Sequence, residues 1–344
     1  MTRAARIVLL ALAAACLSRP GTAGAADSAP PEASSDQANP SGTITVISDN
    51  DLYGPHNKDR HYTNGMRFGW MSADDDVPDW ARSFQDVLPL LASDARRRIG
   101  WTLAQTMFTP EDKQTETPIL DDRPYAAWLY AGLKLQTETD RRLDTIEFDL
   151  GVVGPWALGE EVQSRWHSLI GAKPAHGWSN QIKNEPGLDI MAERSWRYAL
   201  TESSDVLGVD VVPNLTASLG NVFTYGGGGA TIRFGRALDT DFGPARIDPA
   251  TPGSDSYRPP DGLGWYLFAG FEGRAVGRNI FLDGNTVARS QSVQKRPLVG
   301  DLQAGLALTL AHARLTFTEL VRSKEFYGQH HPDYVGAIAL SIGF

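Results

Sequence analysis

The stretch DTIEFDLGVV, residues 144–153, decides the fold. Ile146, Phe148, Leu150 and Val152 alternate with Thr145, Glu147, Asp149 and Gly151, so an extended chain has one oily face and one carboxylate-bearing face. The last eleven residues repeat the pattern. Tyr334, Gly336, Ile338, Leu340, Ile342 and Phe344 fall on one side, and Val335, Ala337, Ala339, Ser341 and Gly343 on the other. A strand of a soluble sandwich alternates too, with its apolar face turned inward. Segments of about ten residues with aromatic ends and a terminal Phe fit strands tilted across a bilayer, with the apolar face toward lipid.

Working outward from residues 144–153, twelve such segments are expected: 43–50, 62–71, 99–107, 126–136, 144–153, 194–201, 207–220, 229–236, 264–274, 298–310, 314–323 and 334–344. The expected fold is all-β, a twelve-stranded antiparallel transmembrane β-barrel of the outer membrane. An even count puts both termini in the periplasm and the odd-to-even connections outside. The even-to-odd connections 72–98 and 237–263 are long for periplasmic turns, and the first has room for a small helix over 80–91. The Gly226 to Gly229 run reads as a flexible loop.

Of the 344 residues, 42% are hydrophobic and 21% charged, a balance foreign to a disordered chain. The one long apolar run, residues 7–17 behind Arg3 and Arg6, is too short to span a bilayer as a helix. With Ala23-Gly24-Ala25 after it, it reads as a signal peptide over 1–25. An Ala-, Pro- and Ser-rich disordered leader over 26–42 and a barrel domain over 43–344 follow. Cleavage removes Cys16, the single cysteine, and with it any disulfide or thiolate metal site. Ala13 stands where a lipoprotein signal prefers Leu, which speaks against lipidation of Cys16. A net charge of −9 without clustered Lys or Arg excludes a nucleic-acid surface.

The topology gathers polar residues at one rim. Asn50 and Asp51 end the first strand, while Tyr62 and Thr63 open the second. Alternation places Thr63 and Arg67 in the lumen, with Tyr62, Met66, Phe68 and Trp70 opposite. Asp51 shares a face with Thr43 and Thr45, and Asn50 with Ile44 and Val46, so neighbouring polar residues straddle the wall. Gln105, Asp122-Arg123-Pro124-Tyr125 and the connection 154–190 reach the same rim. Within that connection GEEVQSRWHSLI, residues 159–170, has helical spacing, with Gln163 and His167 four apart on one face. Taken singly, Asn50-Asp51 is ordinary turn chemistry, a loop histidine is a solvated residue, and Glu160 and Glu161 suit a helix N-terminus. No G-x-S-x-G, H-E-x-x-H or calcium-binding EF-hand motif is present.

As an ordered set these residues resemble the lipid A 3'-O-deacylase family of Gram-negative outer membranes. The resemblance rests on Asn50-Asp51, Asp59-Arg60, Tyr62-Thr63-Asn64-Gly65, Gln105 with Thr109-Pro110, and Asp122-Arg123-Pro124-Tyr125. It continues through Gly154-Pro155, Gln163-x-x-x-His167, Gly177-Trp178 with Gln181, Asn184 and Glu185, NIFLDGN over 279–285, and Lys324-Glu325-Phe326. It runs from about residue 42 to 344 and implies a calcium-dependent esterase that removes the 3'-linked acyloxyacyl chain of lipid A in the outer leaflet. The family's functional residues fall on Asn50, Asp51, Thr63 and His167. On that footing Asp51 is the expected Ca²⁺ ligand, with further oxygens from backbone, water and Thr63. His167 is the general base that activates water, and Asn50 donates to the oxyanion or orients the substrate. The expected partners are lipopolysaccharide and outer-membrane lipids, the protein a monomer, the site extracellular. Lys58, Arg60, Arg67, Arg123, Arg165, Lys173 and Lys183 are candidates to meet lipid A phosphates. The alternatives are a serine esterase using Ser164 or Ser168, and a porin or adhesin barrel without catalysis.

Overall fold

The alternation closes into a barrel in the computed structural model, which describes residues 41–53, 60–91, 94–171, 173–201, 207–247, 249 and 253–344. The signal peptide and nearly all of the leader lie outside the described residues, as do Lys58 and Asp59. Twelve strands run antiparallel to their neighbours: β1 (Thr43–Asn50), β2 (His61–Met71), β3 (Arg96–Thr109), β4 (Ala126–Glu138), β5 (Arg142–Val153), β6 (Glu185–Trp196), β7 (Gly208–Gly220), β8 (Phe223–Arg236), β9 (Leu263–Asn279), β10 (Leu298–Leu310), β11 (Ala313–Arg322) and β12 (Asp333–Gly343). Tyr198–Ala199 prolongs β6 in the register set by Ser195 against Asn214. β1 pairs with β12 on one side and β2 on the other, Thr43 facing both Gly343 and Met71, so no edge is left open.

Two of the strand expectations need correction. The sixth strand spans 185–196 rather than starting at 194. Pro186 stands second in the strand, where a residue without an N–H is tolerated. The Gly226 to Gly229 run is strand, not loop: Gly229 pairs with Asn214 and Glu272. A Cβ there would sit 2.0 Å from the Phe271 carbonyl oxygen, so the glycines permit a close approach of strands.

The barrel is inverted relative to a soluble protein. Val46, Phe68, Trp101, Leu103, Leu150, Leu188, Leu267, Phe271, Leu302 and Leu340 are exposed on the outer face, while Thr45, Arg67, Lys134, Glu147, Arg233, Glu272, Asp301 and Arg314 are buried. Among the described residues no helix is long and apolar enough to cross a membrane; the strands do the crossing.

The segment after β8 accounts for one long connection. It folds back into the lumen instead of lying in the periplasm, with Asp241, Phe242, Arg246, Ile247, Asp255 and Tyr257 all buried. Asp255 accepts from Arg67 of β2 and, at 2.7 Å, from Lys134 of β4. Asp241 is paired with Arg233 of β8 and Arg314 of β11. Ile47 of β1 packs with Ala245 and Ile247. At the loop-rich rim, the short helix α3 (Ile280–Asp283) drops Ile280 and Phe281 onto Phe108, Trp128 and Phe223, so aromatic packing closes that end of the lumen. The other long connection carries α1 (Asp79–Val87) against the outside of the wall.

Candidate active site

β1 to β3 build one side of a cleft of about 250 Å³. On β1 the outward face changes character along the strand, from Ile44 and Val46 to Ser48 and Asn50. On β2 Asn64 and Met66 face outward, and on β3 Met107 does. Thr63 departs from the simple alternation. Pairing of β2 with β3 slips between Tyr62 and Asn64, a β-bulge. The extra residue reverses parity above it, so Tyr62 joins the lumenal aromatic cluster and Thr63, expected in the lumen, lines the outer cleft. Its hydroxyl lies 2.6 Å from that of Thr109.

The roof is α2 (Gly159–Ile170), which contributes Val162, Gln163, Trp166 and His167. It is seated on the outer wall by three contacts. Trp178 donates its indole N–H to Gln163 Oε1 at 2.7 Å. Gln105 of β3 donates to the carbonyl of Ala157 at 2.6 Å. Gly159 lets the helix start close against the wall, since a Cβ there would be 2.6 Å from Ala127 and Trp178 atoms. The helix ends at Gly171, whose left-handed conformation turns the chain back and whose N–H meets the His167 carbonyl. That return brings the Lys173 carbonyl to 2.7 Å from His167 Nδ1. A carbonyl only accepts, so Nδ1 carries the hydrogen and Nε2 is the basic nitrogen of the neutral ring.

Asn50, Thr63 and His167, far apart in the chain, therefore meet in one cleft. Asp51 does not line it. Its buried carboxylate accepts the main-chain N–H of Arg60, closing the base of the β1–β2 connection. That connection is clamped next to Asp51: His61, at positive φ, places Nδ1 2.6 Å from Asp333 Oδ1 and Nε2 3.6 Å from Asp122 Oδ1, while the Arg60 guanidinium pairs with Glu111. Asp122 also accepts the N–H groups of Glu111 and Arg123, each at 2.7 Å. Burial opposes ionisation of Asp122, yet these bonds and His61 hold its carboxyl below the usual aspartate value.

Several rim candidates have other work. Arg67 is bound to Asp255 within the lumen, Arg123 to Glu325 beneath the rim, and Arg60 to Glu111, so none of the three is a phosphate-facing base. Arg165, Lys173 and Lys183 remain exposed. Ser164 and Ser168 are exposed on α2 and do not line the cleft; the serine that does is Ser48, 3.2 Å from the Tyr53 hydroxyl. Ser48 has the same strand parity as Asn50, a signal available in the sequence. The seating role of Trp178 had none.

The family model for the outer membrane protein LpxR matches residues 8–344. The chain belongs to the LpxR outer-membrane protein family. Among solved structures, LpxR from Salmonella typhimurium has a TM-score of 0.73 at 24% identity, covering 88% of this chain and 100% of that one. The β-domain of the Bordetella autotransporter BrkA gives 0.37 at 10% identity, covering 90% and 100%. The COG4313 outer-membrane channel from Pseudomonas putida F1 gives 0.38 at 10%, covering 92% and 100%. No curated protein matches the chain. Family and fold together place the chain in the outer membrane.

Proposed function

We propose that this LpxR-family barrel is a calcium-dependent lipid A 3'-O-deacylase acting in the outer leaflet, with its loop-rich rim extracellular. One observation carries the reading: Asn50, Thr63 and His167 line an apolar cleft on the lipid-facing side of the wall, where a membrane-embedded ester can reach them without leaving the bilayer. A transport protein has its chemistry in the lumen, and here the described lumen is occupied by the inserted segment and the α3 cluster.

His167 Nε2 takes a proton from water as the water oxygen attacks the acyl carbon. The acyl carbon–oxygen bond then breaks, the same proton passes to the leaving sugar oxygen, and a fatty acid and a free 3'-hydroxyl result. Asn50 orients the carbonyl through its amide, and Thr63 offers a hydroxyl beside it. Val162, Trp166, Met66 and Met107 exclude bulk water and receive acyl chain, which strengthens polar contacts at the ester. Asn50 and Thr63 at the cleft, with Thr109 beside Thr63, offer oxygens, and Asp51, next in the chain after Asn50, brings a carboxylate, a chemistry suited to a hard cation that completes its shell from main chain and water. Bound there, Ca²⁺ supplies positive charge against the developing oxyanion. Among the described residues no three His, Cys, Asp or Glu gather as a metal cluster, so Asp51 is the one charged ligand in this reading.

The test is mass spectrometry of lipid A from cells with and without the chain. Loss of the 3'-acyloxyacyl group, abolished by His167→Ala, is the expected result. Unaltered lipid A beside a folded barrel would overturn the proposal. Native size measurement in detergent tests the accompanying proposal that it acts as a monomer.

A further inference from the structure

The segment linking β2 to β3 lies on the outside of the barrel at the rim that holds the termini, and its helix α1 presents an apolar face that stays exposed, with Phe84 resting one side of its ring on Phe148 of the wall. Ala81, Leu90 and Leu91 pack on Ile99, Leu135 and Ile146, with Trp70, Leu133, Phe148 and Ala192 at the margin. These wall residues all have the parity of the lipid-facing Trp101, Leu150 and Leu188. Asp144 and Arg194, paired at 2.5 Å, share that outward parity. The segment covers them as well, the Leu90 carbonyl accepting from Arg194 at 2.7 Å. Gln85 donates to the carbonyls of Arg98 and Gln136, and Asp86 pairs with Arg97, fixing the helix to the wall.

The outcome is a substitution of surfaces. Where an ion pair would meet lipid, the protein instead exposes Trp80 at 54%, Phe84 at 39% and Val87 at 71%, spaced four and three residues apart on one helical face. This face continues the apolar belt around Trp101, Phe148 and Leu150, and it joins a tryptophan to polar flanks at Asp79, Arg82 and Asp86, the composition of an interfacial helix. We infer that α1 is an interfacial anchor whose Trp80, Phe84 and Val87 insert into the headgroup and upper acyl region of the bilayer. The contact with lipid stands apart from the catalytic reading; only the leaflet, the inner phospholipid one, rests on the orientation proposed above.

The chain outside the expected signal peptide has no cysteine, so single labels can be placed at will. Spin labels on Val87→Cys, Leu302→Cys in the belt and Asp76→Cys in an exposed turn would be compared in phospholipid vesicles by oxygen and nickel-chelate accessibility. The expected order is Leu302 most oxygen-accessible, Val87 intermediate and shielded from nickel, and Asp76 nickel-accessible. A Val87 label as nickel-accessible as Asp76 would overturn the anchor. A label shielded from both reagents would also overturn it, showing that another part of this chain covers the face. The heat-dependent gel shift of each variant confirms that the barrel is intact, and lipid A deacylation by the same samples separates failure of the anchor from failure of the enzymatic reading.

Discussion

His167 donates its Nδ1–H to the Lys173 carbonyl across 2.7 Å, and this bond joins the last turn of α2 to the loop that leaves it. The contact fixes both the ring's tautomer and its orientation over the cleft. His167→Ala and His167→Gln should therefore each lower turnover by roughly 10²- to 10⁴-fold, the range for loss of a general base. Neither should alter the gel mobility of the folded barrel. Single-turnover assays on purified lipid A measure the effect, and retained activity in both variants would remove His167 from catalysis.

Serine chemistry makes a different demand. Ser168 is exposed on α2, and Ser48, though in the cleft, sits beside the Tyr53 hydroxyl rather than a described histidine. With water as nucleophile, Ser168→Ala and Ser48→Ala should both retain activity within a few-fold. No acyl-enzyme should accumulate in a quench experiment with either variant or the parent. Trapping an acyl group on Ser48 would replace water by serine in the mechanism.

Asp51 supplies the single carboxylate proposed for calcium. Asp51→Asn, or excess chelator with the parent protein, should lower hydrolysis by roughly 10²- to 10³-fold, as when an oxyanion partner is lost. Calcium titration by calorimetry should show binding to the parent and none to the variant. Full turnover in chelator would remove the cation.

The lumenal segment hangs on Asp255, which serves Arg67 and Lys134 together. Asp255→Ala leaves two cations buried without that partner, and breaking such a pair costs about 3–5 kcal/mol. The variant should unfold at a lower temperature in heat-shift gels. In planar bilayers the parent should show no steady conductance, whereas a variant with residues 241–258 replaced by a short glycine-serine linker should conduct. A conducting parent would return the porin reading.

Asp122 gives a pH window. Its folded carboxyl titrates below the ordinary aspartate value, so its contribution is complete above about pH 4 and is lost as pH falls through the lower folded value. Limited proteolysis of the 110–125 connection should accordingly be slow at neutral pH and faster in acid. In Asp122→Asn that acid acceleration should be reduced, with the loop already more open at pH 7. Equal acid sensitivity in the two proteins would assign the effect to another group.

Residues 144–153 and 334–344 were legible because strand geometry turns alternate side chains to opposite faces, and a bilayer rewards one parity with unusual length. That logic recovered β1 and β10 to the residue and placed Asn50 on the outer face. It misplaced Thr63, because a bulge is a mismatch between two strands and leaves no mark on either strand's own pattern. It also missed the start of β6 at Glu185.

By itself the sequence determined the barrel, its twelve strands, the helical reading of 159–170 and the set of residues at the rim. Only the tertiary structure decided which side of the wall the chemistry occupies: Trp178 reaching Gln163, Gln105 reaching the Ala157 carbonyl, and the Thr63 bulge together set α2 on the lipid face. It alone turned the segment after β8 into the lumen at Asp241 and Asp255, which meet cations from four strands. Periodicity is a local property, fixed by neighbours in the chain. Most of these contacts join residues distant in the chain, up to the 188 positions between Arg67 and Asp255, and their energy exists only once the barrel has brought the partners together.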